Sequence, residues 1–97
     1  MLSEPRKLQL LTYQYVPDML ERRDPHREAH LAKAAEWEES GKLLLVGATG
    51  DPPSGAILVF DCPVDEVESY AKSDPYSLAG LVTDHRIEPL AAVVFPG

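Results

Sequence analysis

Gly41-Lys42-Leu43-Leu44-Leu45-Val46-Gly47-Ala48-Thr49-Gly50-Asp51-Pro52-Pro53-Ser54-Gly55-Ala56-Ile57-Leu58-Val59-Phe60-Asp61 is the stretch that decides the fold. It holds two short apolar runs, Lys42–Ala48 and Ala56–Asp61. Between them lies Gly47–Gly55, rich in Gly, Pro, Asp and Ser, a composition that makes turns rather than regular structure. The stretch therefore reads as two consecutive strands with no helix between them. Both runs are almost wholly apolar, the pattern of strands covered on both faces, so Lys42–Ala48 is expected to be a central strand.

Upstream, Lys7–Val16 reads as a strand with apolar residues on both faces, ended by Pro17-Asp18. A short turn at Met19–Arg23 leads to Asp24-Pro25, an N-cap acceptor followed by proline at the first helical position. The helix should run to Ser40, with Gly41 as its stop. On it, His30, Ala34 and Trp37 form an inward stripe flanked by Leu31 and Ala35, opposite Glu28, Lys33, Glu36 and Glu39. Downstream, Cys62-Pro63 opens a second helix with Val64, Val67 and Ala71 on its core face. Asp74-Pro75 repeats the cap-and-proline signal and starts a helical turn through Leu81. The last strand runs from His85 to Phe95, where Pro89 marks an edge or a bulge.

The order is β-α-β-β-α-β, the ferredoxin-like split arrangement, within one domain spanning residues 1–97. It is an α+β fold with a four-stranded antiparallel sheet and both helices on one face. The other face is apolar too and needs a cover. A second copy of the same sheet is the simplest one, so the expected assembly is a homodimer through the open sheet face.

Composition narrows the partners. A chain of 97 residues buries only about 60–65% of its unfolded surface, so a second subunit would help. Nine Lys plus Arg against sixteen Asp plus Glu give a net charge of −7. Such a chain repels phosphate backbones and offers no basic run to an anionic membrane, so neither is an expected partner. Met1–Lys7 lacks the apolar segment of a signal peptide, and no apolar run is long enough to span a bilayer. The single Cys62 cannot form an intramolecular disulfide, which fits a reducing, cytoplasmic setting. A thiol just before a helix can be activated, although a buried small residue is the simpler reading of Cys62.

Among chemistry-bearing residues His30 comes first. An imidazole on a small-residue helix face can move protons near neutral pH, provided one ring nitrogen is oriented by a partner. Asp74 is the candidate partner, one carboxylate oxygen capping its helix while the other faces His30. The plainer alternatives are a His bonded to a backbone carbonyl and an Asp that only caps. Arg27, one turn before His30, could hold an anionic substrate group or form a salt bridge with Asp24 or Glu38. Tyr76 could line the pocket or simply pack. Ser77 could present a hydroxyl there, but a serine needs an adjacent base to become nucleophilic. His26 and His30 share a face at i, i+4 without a third ligand, so no metal is expected. His85 is expected to be exposed. The Gly47–Gly55 loop lacks the Lys and Ser/Thr of a phosphate-binding loop and is expected to shape a cleft wall.

Arg27-Glu28-Ala29-His30-Leu31 fits an R-x-x-H-L pattern and Asp74-Pro75-Tyr76 a D-P-Y pattern. Glu39-Ser40-Gly41-Lys42-Leu43-Leu44, Ala79-Gly80-Leu81 and Ile87-Glu88-Pro89 follow in matching order. Over nearly its whole length the chain resembles the YciI-like (YCII-related) family, departing from it in a slightly longer N-terminus and the extra His26. The resemblance implies that His30 and Asp74 meet in a cleft as an active dyad, and that two sheets pair as a dimeric α+β barrel. It also implies small cyclic or aromatic substrates, since one type of relative removes chloride from a chlorinated hydroquinone.

The resulting expectation is a cofactor-independent enzyme. It would use the dyad for isomerisation, elimination or dehalogenation of a small organic molecule, because no flavin, nucleotide or haem motif is present. The alternatives are a non-catalytic small-molecule-binding or accessory domain, and a structural protein in which the two residues only pack.

Overall fold

The computed structural model describes residues 4–94. Its elements are β1 (Arg6–Tyr15), α1 (Met19–Arg22), α2 (Asp24–Glu39), β2 (Leu43–Thr49), β3 (Gly55–Phe60), α3 (Val64–Ser73), α4 (Pro75–Leu78) and β4 (Val82–Ala92). With the single-turn helices α1 and α4 set aside, this is the expected βαββαβ order. One antiparallel sheet holds all four strands in the order β2-β3-β1-β4.

The period-two alternation of β1 fixes which face becomes the core. Leu11 and Tyr13 lie in register with Leu58 and Ala56 of β3 on one side, and with Ile87 and His85 of β4 on the other. The helices cover this face, burying Leu11, Leu58 and Phe60 against Val67, Tyr70 and Ala71. At one end Trp37 of α2, Phe60 of β3 and Tyr70 of α3 meet edge to face, with centroids 5.0 to 6.0 Å apart. This geometry suits the aromatic quadrupole and ties both long helices to the sheet. The opposite face carries Leu8, Leu10, Leu45, Ile57, Val59 and Leu90. Leu8 and Val59 are buried there, and Leu45 is half exposed.

Several local expectations change in the fold. β2 is an edge strand rather than a central one, and Leu45 and Val46 are exposed. Its apolar run is a pattern of composition, whereas edge position follows from strand order. Leu31 and Ala35 are exposed for the same reason: they border grooves beside this edge. Asp24 does not cap α2, because Arg23 is already helical (φ −76°, ψ −24°) and carries the chain over from α1. Val64 opens α3 and stays exposed, while Tyr70 joins Val67 and Ala71 inside. β4 begins at Val82, three residues early, because Val82 pairs with Tyr15 across a register shift. Pro89 sits on this edge strand, where a missing N–H is tolerated. Phe95 lies outside the described residues. His85 is half-buried on the helix side, its Nε2 2.7 Å from Glu68 Oε1. Among the described residues, no helix is long and apolar enough to cross a membrane.

A glycine ends each of two helices: Gly41 as expected, and Gly80 where the turn expected to run through Leu81 instead stops at Leu78. Gly41 (φ 79°) follows α2 and Gly80 (φ 75°) follows α4. Gly41 N–H donates to Glu38 O and Lys42 N–H to Trp37 O; likewise Gly80 N–H donates to Ser77 O and Leu81 N–H to Tyr76 O. This is the Schellman pattern, which closes a helix through a left-handed residue. A Cβ at either position would meet nothing within 4 Å, so the cost of adding one is the backbone strain alone. Gly41→Ala and Gly80→Ala should each lower the unfolding free energy by about 1 kcal/mol, read from urea unfolding midpoints.

Candidate active site

Asp74 ends α3 and begins α4 in one residue. Pro75 requires an extended residue before it, and Asp74 complies at φ −59°, ψ 129°. Its side chain is wholly buried. Oδ1 accepts from the Tyr76 N–H at 3.0 Å and from His30 Nδ1 at 2.8 Å, and Oδ2 accepts from the Tyr13 hydroxyl at 2.9 Å. The sequence had suggested one oxygen for the cap and one for His30. Instead Oδ1 uses both lone pairs for these two partners, because Tyr13 from the sheet occupies Oδ2.

His30 is 5% exposed on the inner face of α2, one turn before Ala34. A carboxylate can only accept, so Nδ1 carries the proton and Nε2 is the nitrogen left for a ligand. Tyr76 stacks on the imidazole with centroids 3.8 Å apart and planes within 9°, and its outer side meets Tyr15 edge-on at 6.0 Å. The ring is thus held by a hydrogen bond along its edge and by a flat contact on its face.

A cleft of about 180 Å³ opens at this ring, lined by Tyr15, Arg23, Arg27, His30, Val46 and Tyr76 among others. An apolar cavity of about 150 Å³ admits benzene, so the cleft has room for one substituted ring. A second groove of similar size runs between Ala34, Ala35 and Leu43–Val46. It has no acid–base pair, so chemistry points to the first.

Of the residues singled out in the sequence, His30, Arg27 and Tyr76 meet at the cleft and Asp74 supports them from beneath. Arg27 forms no ion pair with Asp24 or Glu38 among the described residues. Ser77 lies beside the Tyr13 hydroxyl and does not line the cleft. Gly47 and Ala48 do form part of the wall, but as strand rather than loop. Cys62 packs half-buried against the core, where burial pushes its thiol up more than Lys42 lowers it.

Three residues went unrecognised in the sequence: Tyr13, Tyr15 and Arg23. The alternation of β1 places both tyrosines on the helix face, which was the available signal. Arg23 was missed because Asp24-Pro25 marked the helix start. Continued back through Arg23, the helical period puts it one turn before Arg27.

Three tyrosine hydroxyls are pushed above their ordinary range. For Tyr13 burial is the main cause, followed by the charge of Asp74 and its hydrogen bond. Burial also dominates for Tyr15, reinforced by Tyr76 and Asp74 and opposed by Arg23 and Arg27. Tyr70 rises through burial, then Asp74 and Tyr15.

The chain as a whole is similar to known proteins. The family model described as the YCII-related domain matches residues 8–91. A solved structure of 5-chloro-2-hydroxyhydroquinone dehydrochlorinase (TftG) from Burkholderia phenoliruptrix AC1100, in complex with 2,5-dihydroxybenzoquinone, is similar at 28% identity and TM-score 0.71. The match covers 84% of this chain and 90% of that one. PA3566 from Pseudomonas aeruginosa (12% identity, TM-score 0.53, 97% and 99% covered) and SO0527 from Shewanella oneidensis (12%, 0.52, 93% and 93%) share the fold. A search of curated proteins found no match.

Two measurements follow from the geometry. Native Tyr13, Tyr15 and Tyr70 stay neutral where unfolded tyrosines ionise, so unfolding releases protons above their ordinary value of 10.0. Their contribution to stability is complete below that value and is lost as pH rises through it. Urea unfolding at about pH 9 to 11.5 should show stability falling by up to about 4 kcal/mol per pH unit, about 1.4 from each group. Tyr13→Phe should remove about a third of that slope. In ¹⁵N spectra, neutral His30 should carry its proton on Nδ1, and Asp74→Asn should shift it towards Nε2; an Nε2–H ring in the unaltered protein would contradict the contact.

Proposed function

The chain belongs to the YCII-related domain family, and on that footing we propose that it is an enzyme moving a proton on a small hydroxylated ring compound. The reaction type is an elimination such as dehydrochlorination. The observation that carries this reading is the 2.8 Å contact between His30 Nδ1 and the buried Asp74 carboxylate at the floor of a ring-sized cleft. His30 is the acid–base group, working through Nε2. Asp74 is a positioning residue: it fixes the tautomer and never needs to meet the substrate. Arg27 and Tyr76 serve binding, Arg27 by charge and Tyr76 by holding the imidazole plane. Ser77 contributes through Tyr13 rather than through contact with substrate.

Similarity to the dehydrochlorinase supports the choice of reaction, and an imidazole held by a buried carboxylate suits it chemically. Loss of HCl from a chlorinated, hydroxylated ring is balanced within the substrate. A proton passes to the imidazole and then to water, and chloride departs with the C–Cl electron pair. The family reading also includes a homodimer through the open sheet face, where Leu10, Leu45, Ile57 and Leu90 supply apolar surface.

Chloride release from 5-chloro-2-hydroxyhydroquinone is the direct assay. His30→Ala should lower the rate by about 10² to 10⁴-fold with an unchanged far-UV circular dichroism spectrum. Full retained activity in that variant would refute the role. Light scattering on a sizing column should give twice the chain mass of 10.7 kDa.

A further inference from the structure

The role proposed for His30 uses one ring nitrogen, and the binding role proposed for Arg27 leaves open what charge its ligand carries. Arg23 and Arg27 both line it, one helical turn apart on the same face. Neither forms an ion pair among the described residues, although Arg22 beside them is paired with Asp18. The whole chain carries −7, yet among the described residues no Asp or Glu lines this cleft. The local sign is therefore the reverse of the global one. A third observation is independent of charge. Tyr15 and Tyr76 form part of the same wall, their rings edge to face at 6.0 Å, and Tyr76 stacks on His30, so an aromatic surface leads from the arginines to the imidazole.

We propose that Arg23 and Arg27, beside the Tyr15 and Tyr76 rings, form an oxyanion-recognising end of the cleft, and that its ligand is a single-ring compound bearing an ionised oxygen. This rests on the reading of the cleft as the His30 site and adds the charge state of the substrate. Guanidinium forks hold an oxyanion through two parallel donors. Fixing one ring oxygen at that end sets the ring's orientation towards His30, which is what proton transfer requires. The oxyanion is a ring carboxylate or an ionised ring hydroxyl, and the two share this recognition chemistry. About 180 Å³ leaves little room beyond one ring and its substituents.

The test is calorimetric binding of three probes to the full chain: 2,5-dihydroxybenzoquinone as the acidic hydroxyl, benzoate as the carboxylate, and benzamide as the neutral counterpart. At least one anion should bind roughly tenfold or more tightly than benzamide, and whichever binds identifies the source of the oxyanion. Arg23→Gln and Arg27→Gln, both at solvent-accessible positions, should each erase most of that preference, and added salt should weaken it. Equal affinity for anion and amide, unaltered anion binding in both arginine variants, or no binding of any probe at millimolar concentration would each overturn the proposal. Binding needs no turnover, so the two readings fail separately. Anion preference without chloride release sinks the elimination chemistry alone, and chloride release without anion preference sinks the oxyanion end alone.

Discussion

Asp74 has no contact with solvent, and a carboxylate in that position must find hydrogen-bond donors or carry a penalty of several kcal/mol. It finds three. Tyr13 comes from the centre of the sheet, His30 from the inner face of α2, and the Tyr76 N–H from the first turn of α4. Hydrogen bonds to a charged group contribute about 1.5–3 kcal/mol each, the same order as the desolvation they offset. The constraint is geometric as much as energetic. The α3–α4 junction, α2 and β1 can satisfy one carboxylate only if they converge on it, and the cleft exists because they do.

The same convergence sets the character of the cleft. The acidic group that organises it lies beneath the floor, wholly buried and held by three donors, so its charge is not presented to a ligand. What reaches the wall is an imidazole with one nitrogen engaged, two tyrosine rings, and two arginines that have no acidic partner among the described residues. A strongly acidic chain thus encloses a cleft whose charged lining is basic. Low-dielectric walls strengthen such a local field, which favours an anionic ligand that the protein's outer surface would repel.

Much of the fold was legible because its signals are local. Pro and Gly around residues 50–55 separate two apolar runs, Gly41 closes a helix through a left-handed residue, and Asp74-Pro75 starts one. Each of these depends on a few neighbouring residues and on backbone sterics. The errors share a different origin. Leu43–Val46 looked central because an apolar run does not encode strand order, and β2 proved to be an edge. Asp24-Pro25 does mark the start of α2, but Asp24 looked like its cap because the pair usually supplies one. Here Arg23 before it already has helical dihedrals, which sets it one turn before Arg27 and at the cleft.

By itself the sequence determined the element order, the stop of the long helix at Gly41, the antiparallel α+β architecture, and His30 and Asp74 as the pair to examine. Only the tertiary structure decided that one oxygen of Asp74 serves both the cap and the histidine. The tertiary structure also put Tyr13 on the other oxygen, brought Arg23 alongside Arg27 at the wall, and turned Ser77 towards Tyr13. The physical reason is range. Caps, turns and periodicities are settled within a helical turn or a strand pair. The partners of a buried carboxylate come from residues 44 and 61 positions away, and they are chosen by sheet register and helix packing that no local pattern records.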